Sequence, residues 1–250
     1  MIRSISFDPK DAAKVVPWWD ACPAWKGRTE FTFEPGLTVV CGPNGTGKTA
    51  LFTLLSRLLF AEQGGRSTLT WQSVYDAAGY PFAKISLDHD GQGIWHFDSA
   101  HQVGLVGGMA AFDEDFFEEG IKGVLLNRAS AGQGTLHRLA PTIMAAKSAK
   151  APGIGIKKGT RPTPAIQAFL AGRGEPGQPT FLLDEPDRNL DADNQVALWV
   201  GLNRLAERCQ IIVASHSNLP MLQKCPPRFL ETVPGYVEKT NDRLLAFLDA

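Results

Sequence analysis

The sequence predicts an α/β fold with a mostly parallel core sheet. Three short apolar runs carry that expectation: Leu37–Cys41, Thr180–Leu183 and Gln210–Ala214. Strands buried on both faces of a parallel sheet read as near-continuous apolar runs of this length. Each run ends abruptly in polar or glycine-rich residues, and an apolar helical pattern from Ala50 to Ala61 follows the first loop. With 250 residues and 44% hydrophobic content the chain fits one compact domain with a full core.

The loop after Leu37–Cys41 is Gly42-Pro43-Asn44-Gly45-Thr46-Gly47-Lys48-Thr49. It matches the Walker A pattern G-x-x-x-x-G-K-[ST] in full, between a strand and a helix as that motif requires. Its glycines let backbone N–H groups turn inward, and the helix that follows aims its positive end at the same point. Both features suit the phosphates of a nucleoside triphosphate. Lys48 would reach the β- and γ-phosphates, the Thr49 hydroxyl would sit on Mg²⁺, and Ala50 would close the cradle.

The second run, Thr180–Leu183, ends in Asp184-Glu185-Pro186. An acid at the end of a buried parallel strand suits Walker B: Asp184 would hold Mg²⁺, directly or through water, and Glu185 would polarise the attacking water as general base. Pro186 stops the strand, because it cannot donate to the ladder. The third run ends in Ser215-His216-Ser217, which puts His216 at the ligand-binding edge of the sheet. It could donate to the γ-phosphate or orient the water.

Together these pieces resemble the ABC-type ATPase family. Phe181–Pro186 is similar to its Walker B with the catalytic glutamate, Asn189-Leu190-Asp191 to its D-loop, and Ala214-Ser215-His216 to its switch histidine. Ala129-Ser130-Ala131-Gly132-Gln133 is similar to the family signature loop Leu-Ser-Gly-Gly-Gln; Ser130, Gly132 and Gln133 match, whereas Ala129 and Ala131 depart. The resemblance implies a P-loop NTPase fold with an inserted helical lobe, Mg²⁺-dependent ATP hydrolysis, and a head-to-tail dimer formed on ATP. In such a dimer Ser130, Gly132 and Gln133 would complete the ATP site of the opposite subunit. The chain looks more like the soluble ATPases related to recombination-repair and overcoming-lysogenisation-defect proteins than like transporter subunits. That implies a protein partner and work on nucleic acid or in genome defence. The alternative is the ATP-binding subunit of a membrane transporter. The Q-loop glutamine is assigned to Gln102, with Gln72 and Gln92 as rivals.

The remaining elements fall into place around these motifs. Residues 1–36 read as an extended start with Trp- and Pro-rich connections, in which Trp18, Trp19, Trp25 or Phe31 could cover a base or simply pack. Ala83–Asp88 and Ile94–Asp98 flank Asp90-Gly91-Gln92-Gly93 and predict an antiparallel β-hairpin. One domain is expected over 1–250, with a core lobe at about 1–102 and 176–250 and a helical lobe at about 103–175. Asp113–Glu119 reads as a solvated acidic helix. Residues 147–161 carry Lys147, Lys150, Lys157, Lys158 and Arg161 with no acid, either a solvated insertion or a contact for nucleic-acid phosphates. A terminal strand and helix are expected within 218–250.

Composition narrows the classes. A net charge of −1 gives no overall field toward DNA or anionic membrane. No apolar run approaches the roughly 20 residues of a spanning helix, so no direct membrane span is expected. Cys22, Cys41, Cys209 and Cys225 show no C-x-x-C pairing and read as reduced thiols, and the start Met1-Ile2-Arg3-Ser4 lacks a secretory apolar region. A cytoplasmic location is therefore expected.

Overall fold

The computed structural model describes residues 1–58, 62–63, 66–67, 85–89, 94–99 and 180–249. The chain begins with strand β1 (Ile2–Phe7), helix α1 (Pro9–Val15), two 3-10 turns (Trp19–Ala21 and Pro23–Trp25) and strand β2 (Glu30–Thr32). Strand β3 (Leu37–Cys41) leads through the glycine-rich loop into helix α2 (Lys48–Leu58). Short strands β4 (Glu62–Gln63) and β5 (Arg66–Ser67) precede β6 (Ile85–His89), β7 (Ile94–Asp98) and β8 (Thr180–Asp184). Helix α3 (Ala192–Leu205), strand β9 (Gln210–Ala214), a 3-10 turn at Leu219–Leu222, strand β10 (Arg228–Glu231) and helix α4 (Tyr236–Leu248) follow.

The main sheet has seven strands in the order β10-β3-β9-β8-β7-β4-β5. Neighbours run parallel from β10 through to β4, and only β5 is antiparallel to its neighbour. Strands β3, β8 and β9 are buried at every residue, as their apolar runs predict. The alternation of side chains divides two cores. Val40, Leu182, Ile212 and Ala214 face the core shared with α2 and the N-terminal segment. Val39, Phe181, Leu183 and Val213 face the core under α3. This is an α/β fold of P-loop NTPase architecture, the class the sequence predicts.

The antiparallel region exists, but its pairing differs from the expected hairpin. β6 pairs with β1 in a three-stranded sheet ordered β2-β1-β6, whereas β7 pairs in parallel with β8. Each segment takes the neighbour that suits its faces. His96 and Phe97 of β7 are both buried, which fits an interior parallel strand, while Asp88 of β6 stays exposed in an ion pair with Arg3 at 2.7 Å. The turn residues Asp90–Gly93 lie outside the described residues, and β6 and β7 on either side of them do not pair with each other. The helical lobe expected at 103–175, the acidic stretch at Asp113–Glu119 and the basic stretch at 147–161 lie outside the described residues.

Gln210 ties the two sheets together. Its Oε1 accepts from Ile2 N at 2.8 Å and from Thr180 Oγ1 at 2.9 Å. Its Nε2 donates to Ile2 O at 2.7 Å and to Glu34 O at 3.0 Å. The side chain is fully buried, and both donors and the acceptor are satisfied.

Candidate functional site

Strands β3, β9 and β8 are parallel neighbours, so the loops after Cys41, Ala214 and Asp184 leave the same edge of the sheet. That edge is where open α/β sheets bind ligands. A cavity of about 550 Å³ lies there. Asn44, Gly45, Gly47, Lys48, Thr49 and Ala50 form one wall, and Glu185, Arg188 and His216 face them. Trp18 and Cys22 close the side toward the N-terminal segment.

The glycines of the loop are required where the backbone is left-handed and crowded. Gly42 has φ +148°, and a Cβ there would stand 1.8 Å from Thr232 Oγ1. Gly47 has φ +112°, and a Cβ would stand 2.7 Å from both Cys22 Cβ and Trp25 Nε1. Trp25 in turn donates to Gly47 O at 2.6 Å. The aromatic cluster of Phe7, Trp19, Trp25 and Phe31 thus braces the loop from beneath. Thr46 turns away from the cavity, bonding Pro43 O at 2.9 Å and Thr232 Oγ1 at 2.8 Å. Of the aromatic candidates for a base, Trp19, Trp25 and Phe31 are core residues, and Trp18, 47% exposed, lines the cavity.

Lys48 folds back on its own loop, donating to Gly42 O at 2.8 Å and Pro43 O at 2.9 Å. Burial lowers its pKa, against the pull of Glu185 and Asp184. A lysine held on two carbonyls beside the N-terminus of α2 offers its charge to an anion arriving in the loop.

Asp184 sits beneath the cavity, 3% exposed. Burial pushes its carboxyl up to about 7; a hydrogen bond from Thr49 opposes this, and the nearby charges of Asp98 and Glu185 reinforce it. Its Oδ1 is buried without a hydrogen-bond partner among the described residues. An orphaned carboxylate oxygen beside a threonine hydroxyl is a donor set that fits Mg²⁺.

Glu185 follows with φ +50°, a region that non-glycine residues seldom adopt. Its N–H donates to Ala214 O at 2.9 Å, which pins the turn to β9. One carboxylate oxygen is 3.3 Å from His216 Nε2, and the other is 3.4 Å from Arg188. His216 has its pKa lowered by burial and by Lys48, with Glu185 acting against both. Such an outlier at a charged residue fits stored local strain of roughly 1–3 kcal/mol at a functional site.

The two loops that carry these groups are joined below. Ser215 Oγ donates to the buried Asp187 carboxylate at 2.5 Å and accepts from Ser217 N at 2.9 Å. Burial raises the Asp187 carboxyl, with the Ser215 bond opposing. Asp191 caps α3 by accepting from Asn194 N at 2.9 Å.

Of the residues expected from sequence, the cavity brings together Asn44, Gly45, Gly47, Lys48, Thr49, Ala50, Glu185 and His216, with Asp184 below them. Gly42, Pro43 and Thr46 shape the loop rather than line the cavity. Gln102, Ser130, Gly132 and Gln133 lie outside the described residues. Cys22, Asp98, Asp187 and Arg188 were not singled out from sequence. Asp98 carried a signal, since it ends a strand as Asp184 does; Cys22, Asp187 and Arg188 carried none that separates them from ordinary loop residues.

The fold and the loop between β3 and α2 are those of a P-loop domain. In comparison with known families, residues 24–93, less than a third of the chain, match the family model of an AAA domain. That segment holds β3, the phosphate-type loop and α2. A solved structure of a metal-chelate type ABC transporter in an inward-facing conformation is 19% identical, with a TM-score of 0.42 over 82% of this chain and 72% of that one. No curated protein matches the chain.

Proposed function

We propose that the chain binds ATP with Mg²⁺ and hydrolyses it by in-line attack of water on the γ-phosphate. The observation that carries this reading is the convergence of Lys48, Thr49, Glu185 and His216 on one cavity above the orphaned oxygen of Asp184. The Gly42–Thr49 amides and Lys48 receive the phosphates. Thr49 and Asp184 hold the cation, which when bound neutralises charge on the β- and γ-oxygens. Glu185 takes the proton of the attacking water, and His216, in contact with Glu185, orients it toward the γ-phosphate.

The helical lobe at about 103–175 belongs to this reading as the part that faces a second subunit. Ser130, Gly132 and Gln133 would close the partner's site, and Gln102 would reach the cation and water. ATP then acts as the glue of a dimer, and hydrolysis releases it, giving a switch for a protein partner. The basic segment 147–161 supports work on nucleic acid.

Steady-state ATP hydrolysis with and without duplex and single-stranded DNA tests the pathway. Stimulation by DNA, lost on neutralising Lys157 and Lys158, supports the nucleic-acid role. Turnover indifferent to DNA removes that role and leaves a protein partner. Ser130→Ala should impair ATP-dependent dimerisation; a dimer as strong as wild type would contradict the signature-loop assignment.

A further inference from the structure

Asp98 and Asp184 are register partners at the last residues of the parallel pair β7 and β8. The alternation of both strands fixes which way they stand. Phe97 and Leu183 are partners one step earlier, and both lie in the core under α3. Leu182, one step earlier again, lies in the core under α2. Asp98 and Asp184 therefore both stand on the α2 face. Thr49, at the start of α2, stands beside the Asp184 carboxylate on that side. Asp184 is 3% exposed, and its Oδ1 lacks a partner among the described residues. Asp98 is partly exposed at the margin of this corner, and its charge adds to that of Asp184. The set formed with Thr49 is all oxygen, and Mg²⁺ is held in proteins by one or two carboxylates while keeping waters and substrate phosphates as its other ligands.

We propose that Asp98 is a second carboxylate of the divalent-cation site built by Thr49 and Asp184, holding the cation directly or through one of its waters. This rests on the nucleotide-site reading above and adds a residue to it. Mn²⁺ is the probe. Its binding to the full chain, with a non-hydrolysable ATP analogue present, is read by electron paramagnetic resonance for wild type, Asp98→Asn and Asp184→Asn. Asp98→Asn should weaken Mn²⁺ binding by about tenfold or more. It should leave the analogue's affinity in chelator unchanged.

Mn²⁺ affinity kept in Asp98→Asn but lost in Asp184→Asn overturns the role of Asp98 and leaves the site reading intact. Affinity kept in both variants overturns the site reading as well. Should Asp98→Asn fold poorly, Asp98→Glu and Asp98→Ser decide. Binding restored by Glu and not by Ser supports the proposal; equal loss in both marks Asp98 as structural and overturns it.

Discussion

Asp184 is buried with one oxygen unpaired, and that shows in its titration. Its carboxyl titrates at about 7 in the folded chain, against 3.8 for an ordinary aspartate. Over the interval between these values the folded state binds more protons than the unfolded one. The contribution of this group is therefore fullest below the unfolded pKa and is lost as pH rises through the folded one. Urea denaturation without divalent cation should show wild type losing about 3 kcal/mol relative to Asp184→Asn between roughly pH 5 and pH 8. Excess Mg²⁺ should shrink that loss, since the cation takes the place of the proton. Parallel pH profiles for the two proteins would contradict the burial of an uncompensated charge. The type of this residue and its place at a strand end were legible in the sequence. The neighbouring acid, Asp98, was legible as a strand end too, but only strand order reveals that β7 lies beside β8.

The apolar runs of β3, β8 and β9 stated their own structure, since burial on both faces leaves no room for polar side chains. β6 and β7 did not, because a turn signal between two strands says that the chain breaks, not which neighbour each strand finds. The same distinction applies to Gln210, a polar residue opening an apolar run. From sequence it is a strand boundary; in the fold it makes four hydrogen bonds that join β1, β8 and the Glu34 backbone to β9. Gln210→Ala leaves buried backbone groups of Ile2 unpaired and should cost about 3 kcal/mol in urea denaturation. A loss under about 1 kcal/mol would mean that water replaces the side chain. Gly42 belongs to this scale too. Gly42→Ala places a Cβ against Thr232 at a left-handed φ. It should destabilise the chain by roughly 1–3 kcal/mol and abolish nucleotide binding. Normal ATP affinity in this variant would contradict the close approach of the loop to Thr232.

Across the whole molecule, a doubly covered parallel sheet brings three loops to one edge, and the small antiparallel sheet with its aromatic cluster braces the phosphate loop from the N-terminal side. The edge was legible from three runs that each end in chemically apt residues. The brace was not, because Trp19, Trp25 and Phe31 have no periodic pattern that distinguishes packing from ligand contact. The central claim is that this edge hydrolyses ATP with Glu185 as the base, and Glu185→Gln separates binding from turnover. We expect the variant to bind ATP with wild-type affinity, to hydrolyse it roughly 10²–10⁴-fold more slowly, and to accumulate as an ATP-bound dimer in sedimentation. Turnover at the wild-type rate would contradict the account.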